Sequence, residues 1–138
     1  TVYGPWGRPD MALFIFTKNI ISGVPIKVFN NGKMKRDFTF IDDIVYGIRS
    51  SIDKNYKYEV FNLGNSKSEN LMDMISYLED AIGKKAIMDF LPIQPGDVKE
   101  TFADIKKSKK MLDFSPSTDL KDGINKFVNW YINNNTAD

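Results

Sequence analysis

The 138-residue chain carries 19 Lys and Arg against 18 Asp and Glu, a formal charge of +1, and has neither Cys nor His. That length is one domain's worth of chain, and the near-neutral balance gives no electrostatic argument for nucleic acid or an anionic membrane. Without Cys and His there are no disulfides, no thiol nucleophiles, no thiolate or imidazole zinc sites, and no serine triad of the usual kind. The strongest apolar run, 11–16, is too short to span a bilayer and no signal peptide opens the chain, so a cytoplasmic protein is expected.

Residues 1–10 are dense in turn formers. A nearly continuous apolar stretch then predicts a buried helix over 11–21, stopped by Gly23 and Pro25. Ile26, Val28 and Phe29 read as a short strand, Asn30-Asn31-Gly32 as a tight turn, and 34–38 as the returning strand of a hairpin. Thr39 and Asp42 form a capping box, after which Ile41, Ile44, Val45, Ile48 and Ile52 recur at helical spacing. A buried strand is expected over 58–63, ending at Gly64-Asn65. Ser66 and Glu69 make a second capping box, ahead of a helix carrying Leu71, Ile75, Leu78 and Ile82 and closed by Gly83. Strand 86–91 is broken by Pro92 and by Gln94-Pro95-Gly96-Asp97. A short helix covers 105–112, and Ser117 or Thr118 caps a last one that buries Leu120, Ile124, Phe127 and Tyr131. This alternation is α/β. No Gly-x-Gly-x-x-Gly or P-loop occurs anywhere in it.

Three loops hold polar groups out of proportion to their length. Arg8, between Gly7 and Pro9, is either an exposed loop residue or an anion contact, since a guanidinium forks onto carboxylate or phosphate. The basic run 33–36 is either a solvated rim or part of a site. Strand alternation there sends Arg36 and Phe38 one way and Asp37 the other. Asp42 and Asp43 read as first-turn carboxylates, worth about 0.3–1 kcal/mol against the helix dipole, and not as a metal site. Gln94-Pro95-Gly96-Asp97 is a Pro-Gly turn or a ligand loop whose carboxylate suits a sugar diol.

Together these residues resemble the C-terminal part of the extended short-chain dehydrogenase/reductase family of nucleotide-sugar epimerases and dehydratases, and most of all its UDP-glucuronate 4-epimerases of capsule and lipopolysaccharide type. The matching stretches are Thr1-Val2-Tyr3-Gly4-Pro5-Trp6-Gly7-Arg8-Pro9-Asp10-Met11-Ala12, Gly32-Lys33-Met34-Lys35-Arg36-Asp37-Phe38-Thr39-Phe40-Ile41-Asp42-Asp43-Ile44, Phe61-Asn62-Leu63-Gly64-Asn65 and Leu91-Pro92-Ile93-Gln94-Pro95-Gly96-Asp97-Val98, with Phe127-Val128-Asn129-Trp130-Tyr131 at the end. They keep the family's order and spacing over nearly all of the chain.

The resemblance implies a Rossmann-like α/β fold of which residues 1–138 are the C-terminal substrate-binding region, a fragment from which the NAD-binding half, with its catalytic Ser/Thr and Tyr-x-x-x-Lys pair, is absent.

 It further implies reversible C4 epimerisation of UDP-glucuronate to UDP-galacturonate, with bound NAD taking hydride from C4 and returning it to the other face of the sugar. The cofactor would be held mainly by the absent half, in a homodimeric parent. No catalytic, cofactor-binding or metal residue is expected in this chain. By the same resemblance Thr1 and Arg8 approach the sugar carboxylate, Arg36 meets the UDP phosphates, Asp97 receives the ribose hydroxyls, and Val28 and Phe29 lie beside the uracil. Gln94 stands where many relatives have Arg, and a neutral amide cannot neutralise diphosphate. The alternatives are another nucleotide-sugar epimerase, dehydratase or decarboxylase, or a non-catalytic binding module. If the chain is truncated, apolar residues on helices 41–52 and 71–82 should lie exposed.

Overall fold

The computed structural model describes residues 1–135. Its elements are β1 (Val2–Tyr3), α1 (Ala12–Ser22), β2 (Ile26–Val28), β3 (Lys35–Asp37), β4 (Thr39–Phe40), α2 (Ile41–Lys54), β5 (Ser68–Asn70), α3 (Leu71–Ile82), β6 (Met88–Phe90), α4 (Lys106–Leu112) and α5 (Leu120–Asn135). The expected α/β order is present. The helix ends follow local chemistry: α1 and α3 stop at Gly23 and Gly83, both in the left-handed region that glycine enters without a Cβ penalty.

The strands pair differently from the expectation. No hairpin joins 26–28 to 34–38. Instead β2 runs parallel to β6, with Ile26 opposite Met88, and β3 runs antiparallel to β5, with Arg36 opposite Glu69. β1 lies parallel to β4. The Asn30-Asn31 turn does form, with both residues at positive φ inside a 3₁₀ turn over Phe29–Gly32. Its flanking strands diverge because each finds a partner about 30 to 60 residues further along the chain. Segment 58–63 is a second correction. It joins no ladder among the described residues, and Tyr58 and Val60 are largely exposed. A strand is stable only against a neighbour, and none lies beside it here.

Neither capping box forms. Phe40 and Asn70 occupy the N-cap positions of α2 and α3 without a side-chain cap. Thr39 Oγ1 donates to Asp37 Oδ1 instead, and Glu69 sits in β5, paired with Lys67.

The main core gathers Phe16 and Ile20 of α1, Ile75 and Leu78 of α3, and Ile124 and Phe127 of α5 around Val28 and Phe40. A smaller cluster holds Ile105, Leu112 and Phe114, with Phe61 and Leu63 against it. The two helices expected to expose apolar faces behave differently. On α2, Val45, Ile48 and Ile52 are 55%, 48% and 65% exposed, whereas on α3 Met74, Ile75 and Leu78 are fully buried. The exposure expected of α3 is therefore corrected, because α1 and α5 both pack on it.

What α2 turns inward is Asp43 and Gly47, one helical turn apart. The Asp43 carboxylate accepts the backbone N–H groups of Ser117 and Thr118, both at 3.1 Å, tying α2 to the approach to α5. Its role is structural, as the sequence suggested.

Gly123 permits a close approach of the same kind. A Cβ built there would run into the Tyr3 hydroxyl, which is buried beneath α5 and donates to the Leu120 carbonyl at 3.4 Å. In an open helix Gly→Ala gains about 0.5–1 kcal/mol. Here Gly123→Ala is expected to lose about 1–3 kcal/mol through overpacking, measured as a lowered urea midpoint at unchanged slope. Stabilisation by the substitution would show that Tyr3 can move aside.

Candidate functional site

Loop 4–10 is shaped by two backbone conformations. Gly4 has φ 137, and a Cβ there would press on Ile41 Cγ2 at 2.6 Å. Trp6 also takes positive φ, at 61, unusual for so large a residue, and its ring stands edge-on to Trp130 with centroids 5.2 Å apart. The loop ends in a turn closed by the Met11 N–H donating to the Arg8 carbonyl at 3.2 Å, and α1 begins directly after it.

Beside this loop opens a cavity of about 210 Å³. Its apolar wall includes Met11, Phe14, Phe29, Met34, Phe38 and Leu71, and its polar groups are Thr1, Arg8, Lys27, Arg36 and Asp97. Five of the seven residues expected at the site therefore meet in one place: Thr1, Arg8, Phe29, Arg36 and Asp97. The other two do not line it. Val28 is fully buried in the core, because alternation along β2 turns Ile26 and Val28 inward and sends Lys27 to the cavity. Gln94 is exposed on its turn, outside the cavity lining.

Lys27 is the residue that sequence reading passed over. The signal was present, since Ile26 and Val28 flank a cation in a three-residue strand, and only one face of such a strand can be apolar.

The two arginines are presented differently. Arg8 is exposed and pairs with Asp10 through both carboxylate oxygens, Nε to Oδ1 at 3.0 Å and Nη2 to Oδ2 at 2.5 Å. The hydrogen bond from Arg8 holds the Asp10 carboxyl below its ordinary range. Arg36 sits deeper, with its side chain 18% exposed. It donates from Nη1 to the Lys35 carbonyl at 2.8 Å and from Nη2 to Asp97 Oδ1 at 3.2 Å. Asp97 arrives on the turn that closes through its own N–H to the Gln94 carbonyl at 3.1 Å, with Gly96 at φ 84 as a Pro-Gly turn requires.

Asp37 supports this arrangement from the opposite side of β3. It is 3% exposed, and Oδ1 accepts the Asn65 N–H at 2.8 Å while Oδ2 accepts those of Ser66 and Ala103 at 2.9 and 3.0 Å. Its own N–H donates to Thr101 Oγ1 at 3.0 Å. One carboxylate thus gathers two loops behind Arg36.

A pocket with apolar and aromatic walls and three cations suits an elongated ligand with more than one anionic group. No group of three or more carboxylates that could hold a metal ion is found among the described residues, and no described helix is long and apolar enough to cross a membrane.

Residues 1–64 match the NAD dependent epimerase/dehydratase family. The chain is 47% identical over 131 residues to the UDP-glucuronate 4-epimerase of Thermodesulfobacterium geofontis, covering 94% of this chain and 40% of that protein. Its structure is similar to that of UDP-glucuronic acid 4-epimerase from Bacillus cereus in complex with UDP-glucuronic acid and NAD. That match has a TM-score of 0.86 and 38% identity, over 94% of this chain and 42% of the other. MoeE5 in complex with UDP-glucose and NAD gives a TM-score of 0.90 at 26% identity, over 96% of this chain and 45% of that one. The chain thus spans about two fifths of the length of the relatives it matches.

A dinucleotide needs a Gly-rich turn from strand to helix, whose backbone N–H groups meet the pyrophosphate. The two places where a strand runs directly into an α-helix here, Phe40–Ile41 and Asn70–Leu71, contain no glycine. The described residues therefore offer no such turn for the pyrophosphate of NAD. What they can do is bind and orient the occupant of the cavity.

Proposed function

We propose that residues 1–138, the first 64 of which match the NAD dependent epimerase/dehydratase family, are the substrate-binding region of a UDP-glucuronate 4-epimerase, an NAD-dependent isomerase interconverting UDP-glucuronate and UDP-galacturonate. The observation that carries this reading is the convergence of Arg8 and Arg36 on one apolar-walled cavity, one exposed on a turn and the other set into a strand. Two guanidiniums at different depths suit a ligand with a diphosphate at one end and a carboxylate at the other.

In this reading Arg36, nearly buried and held by the Lys35 carbonyl, meets the diphosphate. Asp97 keeps one oxygen on Arg36 and has the other free to accept ribose hydroxyls. Phe29 offers its ring to the base, Lys27 adds a cation to the nucleotide end, and Arg8 with Thr1 takes the uronate carboxylate. The contribution of these residues to catalysis is positioning: the sugar is presented in one orientation while the chemistry takes place. MoeE5 is found in complex with UDP-glucose as well as with UDP-glucuronic acid, which keeps open a second reading, in which the sugar is neutral and Arg8 has no carboxylate to meet.

Substitution in the full-length protein separates the two. Arg8→Ala is expected to weaken UDP-glucuronate binding relative to UDP-glucose by about ten- to a hundredfold, the size of a charge-assisted hydrogen bond. Arg36→Ala should weaken both ligands alike, because both carry the same diphosphate. Isothermal titration with each ligand measures this. Equal losses for the two sugars on Arg8→Ala would remove the uronate reading and leave the neutral-sugar one.

A further inference from the structure

Building on the assignment of Arg8 to the ligand carboxylate, we propose that Asp10 is a positioning residue that fixes the Arg8 guanidinium for sugar recognition and so sets the preference for an acidic sugar. The two residues share one turn. Arg8 opens it, Pro9 restricts its first central position, Asp10 fills the second, and the Met11 N–H closes it onto the Arg8 carbonyl.

A guanidinium has five N–H donors along distinct edges. Asp10 occupies the edge formed by Nε and Nη2. Both Nη1 hydrogens and one on Nη2 remain, and the Nη2 hydrogen with one of the Nη1 pair forms a second forked edge for another carboxylate. Arg8 lines the cavity and Asp10 does not, so Asp10 grips the guanidinium from outside while its partner reaches the ligand space.

Stability does not explain the pair. The side chains are 74% and 64% exposed, and ion pairs so open to solvent contribute little to folding. The consequence is conformational. A long side chain on an exposed turn would otherwise lose its rotamer freedom when the ligand binds, and Asp10 removes that freedom beforehand.

The test is a cycle in the full-length protein with four forms: wild type, Asp10→Asn, Arg8→Ala and the double variant. Each is titrated with UDP-glucuronate and with UDP-glucose, and the ratio of the two dissociation constants is compared. Asp10→Asn is expected to lower the preference for UDP-glucuronate roughly two- to tenfold, the cost of immobilising one side chain on binding. It should leave UDP-glucose binding and the unfolding midpoint unchanged. In the Arg8→Ala background the same substitution should have no further effect on the ratio, which a purely structural role for Asp10 would not produce. An unchanged ratio overturns the proposal, and so does a raised one, which would make Asp10 a competitor of the ligand carboxylate. If Arg8→Ala itself leaves the ratio unchanged, the carboxylate reading fails and this inference with it. If only Asp10→Asn is silent, the inference alone fails.

Discussion

Asp37→Ala is expected to destabilise the chain by about 3–5 kcal/mol, because it strips the acceptor from three backbone N–H groups at once. Those groups belong to Asn65, Ser66 and Ala103, on two loops with no ladder to satisfy them. Asp37→Asn should be nearly as damaging despite its matching shape. Both carboxylate oxygens accept backbone N–H bonds, so either orientation of the amide turns an NH2 group towards a donor. Equilibrium unfolding in urea measures the loss, and hydrogen exchange should quicken first at the three named amides. An Asp37→Asn protein within about 1 kcal/mol of wild type would show that the carboxylate is replaceable. Because Asp37 is the neighbour of Arg36 in β3, ligand binding should weaken before global unfolding becomes measurable.

Phe127→Ala is expected to cost a comparable amount, about 3–5 kcal/mol, as a large aromatic side chain is removed from a packed core. Phe127 is fully buried on α5, and its ring lies 4.9 Å from that of Phe14 and 6.0 Å from those of Trp130 and Tyr131. Phe14 also lines the cavity, so the substitution takes away the support behind one cavity wall. The measurement pairs chemical denaturation with titration of UDP-glucuronate. Both stability and affinity should fall for Phe127→Ala, and Phe127→Leu, which retains most of the volume, should recover most of each. Unchanged affinity in a destabilised Phe127→Ala protein would mean that Phe14 holds its place without this support.

These two residues mark how far the sequence could be read. Phe127 belongs to a four-and-three spacing with Leu120 and Ile124, and that spacing alone identifies the inward face of α5. Helix ends were legible for a similar reason: Gly23 and Gly83 allow a left-handed residue with no Cβ penalty, a property of one residue in its own backbone. The alternation that separates Arg36 and Phe38 from Asp37 is equally local. So is the Asn30-Asn31 turn, which forms even though its hairpin does not.

Partners are another matter. A strand offers the same N–H and C=O groups to any neighbour, so nothing within 26–28 specifies 88–90 over 34–38, and the choice falls to whichever pairing lets the helices pack. On α2 the isoleucine stripe was the clear signal, yet the face turned inward is Asp43 and Gly47. A carboxylate that caps Ser117 and Thr118, and a glycine whose Cβ would strike Leu63 and Phe114, match surfaces more than 15 residues away in the chain. Nothing beside Asp37 in the sequence marks it as a buried acceptor, since its backbone donors lie 28 to 66 residues further on. Periodicity, caps and turns are written in neighbouring residues because their energies depend on a few consecutive dihedrals. Register, burial of a charge and the meeting of Arg8 with Arg36 depend on contacts between distant segments, and those energies exist only once the chain has closed on itself.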